Sequence, residues 1–457
     1  MPFNSVAFIL GVLPLVLPVY AVAARFGQDA GKYSLIVASL GFYALCAPVY
    51  LPLLLGSVLG NIALVRAGRV AWGVVANLAM LCWFKYAMPL IWPGSSLPPG
   101  ISFFTFSQIG LLLWAGAPGA VVPRFVDQAL FAVFFPAILA GPILNPADTL
   151  PSIKQDVGRR LDVAAVATGL GFFCIGLVKK GVLADPLGPL VAAAFDDPGH
   201  VGTQAAWIGA VGWYLQLYFD FSGYSDMAIG LGTMFGVLMP DNFDQPYRAA
   251  SITQYWQRWH MSLTRFLTGN VHAPLTLRIL RGRRARGLPI NEMAQRRPLG
   301  FLGMIGGPIV ATMVLAGVWH GASASYLVFG LVHAGFLLVN HAWRVWRLPR
   351  LPFVAGVLAT QAAVLVGAVI FRAASPADAW SLFAAMAGRA GDVDPQAPLQ
   401  AGWLCLLLAV VWLAPATRAF MQRDWRPSPA MAMAMGCLAT VGLLACGGTQ
   451  AFVYFSF

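Results

Sequence analysis

From residue 6 to residue 24 the chain runs nineteen residues without a charge, and runs of this kind recur to its end. Further apolar stretches fall at 33–49, 51–65, 71–92, 101–115, 129–143, 163–177, 182–195, 205–217, 301–318, 326–339, 353–370, 403–413 and 431–445. A segment of about 20 apolar residues is what a helix needs to cross a bilayer. In hydrocarbon every backbone N–H and C=O must be satisfied within the protein, which restricts a spanning chain to helices or a closed barrel. These runs are too long and too uniformly apolar for barrel strands, so they predict an all-α polytopic membrane protein. On the order of ten to twelve spans are expected, with some of the shorter runs forming re-entrant or interfacial helices. The run at 6–24 lacks a basic leader and is read as an uncleaved first span. No fixed-period repeat and no linker interrupts the series, so residues 1–457 are read as one integral-membrane domain.

Composition decides against a soluble protein. Only 10% of residues are charged and 59% are hydrophobic, whereas soluble domains carry about 25% charged residues. The net charge of +12 has no folded basic domain to carry it, so nucleic acid is not an expected partner. Arg278, Arg281, Arg283, Arg284, Arg286, Arg296 and Arg297 share one loop with a single acid, Glu292. A short loop this basic should lie on the cytoplasmic side. Anchoring is its simplest role, and holding an anionic donor is the other. The six cysteines sit in apolar runs without close spacing and read as small buried hydrophobes.

Against this background two stretches stand out: 218–262, and Trp319-His320-Gly321. Ionisable groups are costly in a bilayer and persist where they face a protein interior or a wet cavity. Of the six histidines, His260 lies in Arg258-Trp259-His260-Met261-Ser262, beside the basic loop. His320 ends a long apolar run. An imidazole, with an unperturbed pKa of about 6.5, can serve as general base for a hydroxyl or thiol. A hydrogen-bonded structural histidine is the alternative at each position. Gly306-Gly307-Pro308 should bend or break the helix leading to His320. His333 and His341 are read as interior or interface residues, and His200 as a loop residue. Asp220 and Asp226, six apart, would not share a face of a continuous helix. They are read as capping an irregular backbone around Gly223 or orienting a histidine, not as a carboxylate pair. Trp256, Trp259 and Phe266 suggest an amphipathic helix in the membrane interface. No ligand pair has the spacing of a metal site, and no nucleophile elbow, phosphate loop or dinucleotide fingerprint is present.

These motifs resemble the membrane-bound O-acyltransferases, in the bacterial branch that serves alginate O-acetylation and teichoic-acid D-alanylation. The matches run nearly end to end. They include Phe84-Lys85-Tyr86, residues 100–106, Phe134-Phe135-Pro136, Ala140-Gly141-Pro142-Ile143, Gly176-Leu177-Val178-Lys179-Lys180 and Phe371-Arg372-Ala373. The most specific are residues 218–232, Asp241-Asn242-Phe243 with Pro246-Tyr247, residues 251–262, and Trp319-His320-Gly321-Ala322. One departure is plain. Members of the alginate type read Arg-Asp-Tyr and then Pro-Leu-Gly-Gly after the first histidine, where this chain has Thr268-Gly269-Asn270 and Pro274-Leu275-Thr276-Leu277.

The resemblance implies a multi-span fold around a funnel or tunnel in the bacterial inner membrane. It implies His320 as catalytic residue and His260 as its active-site partner. Trp319, Asp220, Ser222, Tyr224, Asp226, Asn242, Arg258 and Trp259 become candidate substrate-binding residues. It further implies a cytosolic acyl-thioester donor such as acetyl-CoA, used as substrate with no resident cofactor. The expected partners are a periplasmic polysaccharide acyltransferase, the polysaccharide synthesis and export machinery, and membrane lipids. Other readings stay open: transfer of an aminoacyl or longer acyl group, a transporter using Asp220 and Asp226, or a scaffold for an envelope complex.

Overall fold

A computed structural model describes residues 2–388, 395–423, 425, 428–446 and 452–453. Every regular element among them is helical, and the nearest approach to a sheet is one isolated bridge between Phe243 and Trp259. Among the described residues seven helices are long and apolar enough to cross a membrane: Phe8–Phe26, Pro48–Arg66, Val70–Ile91, Val163–Phe195, Pro298–His320, Ala324–Val345 and Phe353–Arg372. An eighth is added if Ala397–Leu413 and Thr417–Arg423 form one bent span. Ile101–Ala115 and Pro429–Ala445 are apolar but shorter. The expected all-α polytopic architecture is what the chain adopts.

The chain divides into two compact units interleaved in sequence. One comprises Met1–Asp185, Tyr218–Asn242 and Pro415–Phe457, and the other Pro186–Leu217 and Phe243–Ala414. Helix Thr203–Met234 contributes residues to both.

In the first unit, close helix packing is set by glycine. A Cβ on Gly176 would lie 2.4 Å from the Gly223 carbonyl oxygen, and one on Gly223 would lie 2.7 Å from that of Gly176. Gly169 and Gly230 oppose each other in the same way, at 2.5 and 2.4 Å. The order of the pairs makes helix Val163–Val178 antiparallel to residues 218–234. Small residues of this kind let backbones approach where the bilayer offers no hydrophobic drive between helices.

The same contact brings Lys179 and Lys180 to the two aspartates. Lys179 Nζ lies 2.7 Å from Asp226, and Lys180 Nζ lies 2.6 Å from both Asp220 and Asp185. The sequence places a span end at these lysines. Instead the helical span continues from Val163 to Phe195, because each ammonium is neutralised inside the protein. Asp220 and Asp226 likewise sit on an unbroken helix, not around an irregular backbone. Another buried pair, Lys32 to Asp127 at 2.7 Å, ties helix Gln28–Cys46 to helix Phe125–Val133.

In the second unit, Gly307–His320 and Ala324–Val345 form a tight antiparallel hairpin. A Cβ on Gly317 would lie 2.2 Å from the Tyr326 carbonyl oxygen, and one on Gly330 would lie 2.5 Å from that of Met313. The break expected at Gly306-Gly307-Pro308 takes the form of a wide π-type turn, Leu302–Gly306. Pro308 then falls in the first turn of the next helix, where its missing N–H costs nothing. Helix Phe353–Arg372 packs onto this hairpin, with Gly367 lying against the His333 ring. The arginine-rich stretch read as a loop contains a helix, Ala273–Ala285, with Pro274 in its first turn.

Candidate active site

His320 is the last residue of its helix and 5% exposed. Its ring is enclosed by aromatic side chains from three segments of the second unit. Trp319 and Phe371 lie at 4.8 Å between ring centroids, and Tyr326 and Phe329 at 6.1 Å. Phe371 also meets Tyr326 and Phe329, at 5.0 and 5.1 Å. The turn after His320 is made tight by Gly321, whose missing side chain leaves room for the Tyr326 ring 2.6 Å from an ideal Cβ.

His260 reaches the same group by a different route. Residues 258 and 259 pair with 243 and 244: Asp244 N donates to the Arg258 carbonyl at 3.0 Å, and Phe243 bridges Trp259. His260 then takes φ +42°, ψ +53°, a left-handed conformation. This turns the chain directly into helix Met261–Leu267, and the His260 carbonyl accepts from Thr264 N at 3.0 Å. A non-glycine residue held there costs about 1–2 kcal/mol and persists only when its surroundings fix it. The ring is 1% exposed and lies 6.1 Å from Trp319 between centroids. Trp319 therefore contacts both histidines. Burial drives the His260 imidazole down to about 3, so it is neutral at physiological pH.

A cavity of about 240 Å³ opens beside His320. One wall is the stripe Ile309, Thr312, Met313, Ala316 and His320. Their spacing of three, four, seven and eleven is that of one helix face. Facing them are Trp256, Leu263, Thr264, Leu267 and His272 from the chain after Ile252, and Leu337 and His341 from the antiparallel helix. Gly306 lies against Leu338, so His341 marks the end of the cavity near the start of its partner helix. From Ile309 to His320 the lining stripe spans about 16 Å at 1.5 Å per residue. The cavity is thus a slot along the hairpin, with His320 at one end and Ile309, His272 and His341 towards the other. Its described lining holds no carboxylate, lysine or arginine; apart from threonines, Gln257 and the Trp256 indole N–H, its polar groups are the three imidazoles. The Thr312 hydroxyl donates to the Pro308 carbonyl at 2.7 Å. Partial burial lowers the pKa of His272.

The other candidates divide between the units. Trp319, Trp259 and Arg258 belong with the histidines. Trp259 is buried, stacks on Tyr255 at 5.6 Å and meets Phe243 edge-on at 5.0 Å. The expected interfacial helix through Trp256, Trp259 and Phe266 is absent: helix Ile252–Trp256 ends before the bridge, and Met261–Leu267 begins after it. Asp220, Ser222, Tyr224, Asp226 and Asn242 lie in the first unit. Asp220 is 0% exposed, binds Lys180 and accepts from Val453 N at 3.0 Å. Asp226 binds Lys179 and accepts from the Thr417 hydroxyl at 2.7 Å. Tyr224 is stacked between Phe3 and Phe452, at 4.9 and 4.4 Å. Asn242 donates to Ser225 Oγ at 3.1 Å, and Ser222 is buried.

Sequence reasoning did not single out the aromatic cage of Tyr326, Phe329 and Phe371, nor His272 as a wall of the slot. Phe371 left a trace in the Phe371-Arg372-Ala373 match. The rest are ordinary residues of apolar helices until the hairpin closes.

The family model for MBOAT, the membrane-bound O-acyltransferase family, matches residues 81–288. A probable alginate O-acetylase AlgI of Pseudomonas aeruginosa is 34% identical over 84% of this chain and 75% of its own length. The chain belongs to the membrane-bound O-acyltransferase family. A peptidoglycan O-acetyltransferase of Helicobacter pylori is 32% identical over 85% of this chain and 80% of its own. A teichoic acid D-alanyltransferase of Bacillus subtilis is 25% identical over 76% and 89%. The membrane-bound O-acyltransferase described here is accordingly a multi-pass membrane enzyme, as the sequence motifs implied. His260 falls within the matched family region and His320 beyond it.

Proposed function

We propose that this enzyme moves an acetyl group from a cytosolic thioester through the bacterial inner membrane to an exported polysaccharide, with His320 as catalytic residue. The observation that carries this reading is the slot: a passage about 16 Å long, its described lining free of carboxylate, lysine and arginine, that ends at the buried His320 imidazole. Such a passage suits the extended arm of a thioester donor such as acetyl-CoA and excludes bulk water from the thioester. His320 accepts the proton of the attacking hydroxyl as its oxygen bonds to the acyl carbon. The C–S bond then breaks, and the proton passes to the departing thiolate. His260, buried and neutral, holds Trp319 and through it the orientation of His320. The acetyl-transferring relatives favour acetyl over D-alanyl transfer. The alginate-type motifs suggest that a periplasmic acyltransferase then carries the acetyl group from that first hydroxyl to the polymer, alongside the synthesis and export machinery. Trp259 and Arg258 fix the His260 turn. Asp220, Ser222, Tyr224, Asp226 and Asn242 serve the frame of the first unit.

General-base catalysis contributes about 10²–10⁴-fold. His320→Ala and His320→Gln should therefore lower polymer O-acetylation by at least about 100-fold, with the protein inserted at its normal level. Mass analysis of the surface polymer from complemented deletion strains reads this directly. Wild-type acetylation in either variant would remove His320 from the chemistry. D-alanyl or longer acyl esters in the polymer would replace the acetyl assignment.

A further inference from the structure

Helix Ala273–Ala285 has no buried residue, and its outward face carries Arg278, Arg281 and Arg284 around Leu277. Among the described residues none of these three guanidinium groups has an ion pair or hydrogen bond. Other basic groups nearby are engaged: Arg283 donates to the Pro289 carbonyl, Arg286 to that of Gly282, and Arg296 and Arg347 share Glu292, the only acid in the segment. The outward face therefore carries three uncompensated positive charges. The same stretch exposes large apolar side chains, with Leu277 at 51%, Met293 at 75% and Leu299 at 85%. The helix packs against the turn Leu302–Gly306, within the span Pro298–His320, which sets it at the membrane boundary.

We infer that the exposed face of helix Ala273–Ala285 is a binding site for the phosphate headgroups of anionic phospholipids. A soluble polyanion would account for the arginines but not for apolar side chains left beside them. The boundary between headgroups and acyl chains accommodates both. Guanidinium groups bind phosphate through paired N–H donors. Because His272 lines the slot and immediately precedes this helix, lipid bound here holds the slot's entrance at a fixed depth.

The test uses the full-length protein in detergent, titrated with short-chain phosphatidylglycerol or phosphatidylcholine and read by native mass spectrometry. One basic side chain near an anionic surface contributes about fivefold to binding, so three give about 100-fold. Wild type should bind phosphatidylglycerol about 100-fold more tightly than phosphatidylcholine, and R278Q/R281Q/R284Q should lose that preference. R278K/R281K/R284K keeps the charge and should retain most of it. Equal binding of the two lipids by wild type overturns the inference, whether or not the glutamine variant folds. So does an unchanged preference in that variant. Free coenzyme A that displaces phosphatidylglycerol from wild type at equal concentration would assign the face to a soluble anion instead. The inference does not depend on the acyl group or acceptor, so it can fail without the catalytic reading failing.

Discussion

At His260 a backbone requirement and a chemical one fall on the same residue. The turn from the Phe243–Trp259 bridge into helix Met261–Leu267 demands a left-handed conformation, which glycine adopts freely and histidine does not. An imidazole kept at such a position serves something other than the fold. His260→Gly should therefore be as inactive as His260→Ala yet unfold later on heating, by a difference of about 1 kcal/mol, since both lose the ring and only glycine relieves the strain. Comparing thermal midpoints and polymer acetylation for the two variants separates the roles. If His260→Gly kept full activity, the ring would have no function at all. The neutral ring also sets a pH dependence. Its folded pKa, about 3, lies below the ordinary value of 6.5, so the unfolded chain binds a proton that the folded one does not. The corresponding stability is complete above pH 6.5 and is lost progressively as pH falls towards 3. His260→Gln should flatten the decline in thermal midpoint between those limits.

Helices are held together in the first unit by glycine contacts and by ion pairs closed off from lipid. Lys32 is 1% exposed and Asp127 3%. Removing one partner of such a pair strands a buried charge and costs about 3–5 kcal/mol, whereas replacing both with apolar residues is often neutral. Lys32→Met alone and Asp127→Leu alone should thus abolish accumulation of folded protein, and the double variant should restore it. Fluorescence-detected size exclusion of solubilised membranes shows this, and a double variant no better than the singles would count against a simple charge pair. These pairs mark where the sequence was hard to read. Two adjacent lysines after an apolar run look like the end of a span, and only the distant Asp220 and Asp226 reveal that 179 and 180 lie within one. The histidines were legible for the opposite reason, since a polar ring within so much hydrocarbon-compatible sequence has few ordinary explanations. The cage around His320 had no such contrast, being phenylalanine and tyrosine among many.

Across the whole molecule, scarce charge is what allows a reactive group to be placed deep without flooding. Lys179 and Lys180, within a membrane-spanning helix of the first unit, are neutralised locally by aspartates, and the described lining of the second unit's slot holds no carboxylate, lysine or arginine. For the proposed thioester donor water is the competing nucleophile, and an apolar lining of this kind would disfavour it. The weak point of such a design is width. Ala316 lies one turn before His320 on the same helix face of the lining stripe, so a large side chain there fills the passage directly beside the imidazole. Ala316→Phe should lower acetylation by at least about tenfold, because it both obstructs the donor's arrival and crowds the His320 ring out of its working geometry. Ala316→Gly, which widens the slot, should leave acetyl transfer near wild type and admit a longer acyl thioester. Steady-state transfer by purified protein in proteoliposomes, with acetyl and butyryl thioesters supplied from one side, distinguishes the two. Full activity in Ala316→Phe with its thermal midpoint unchanged would mean that the donor reaches His320 by another path.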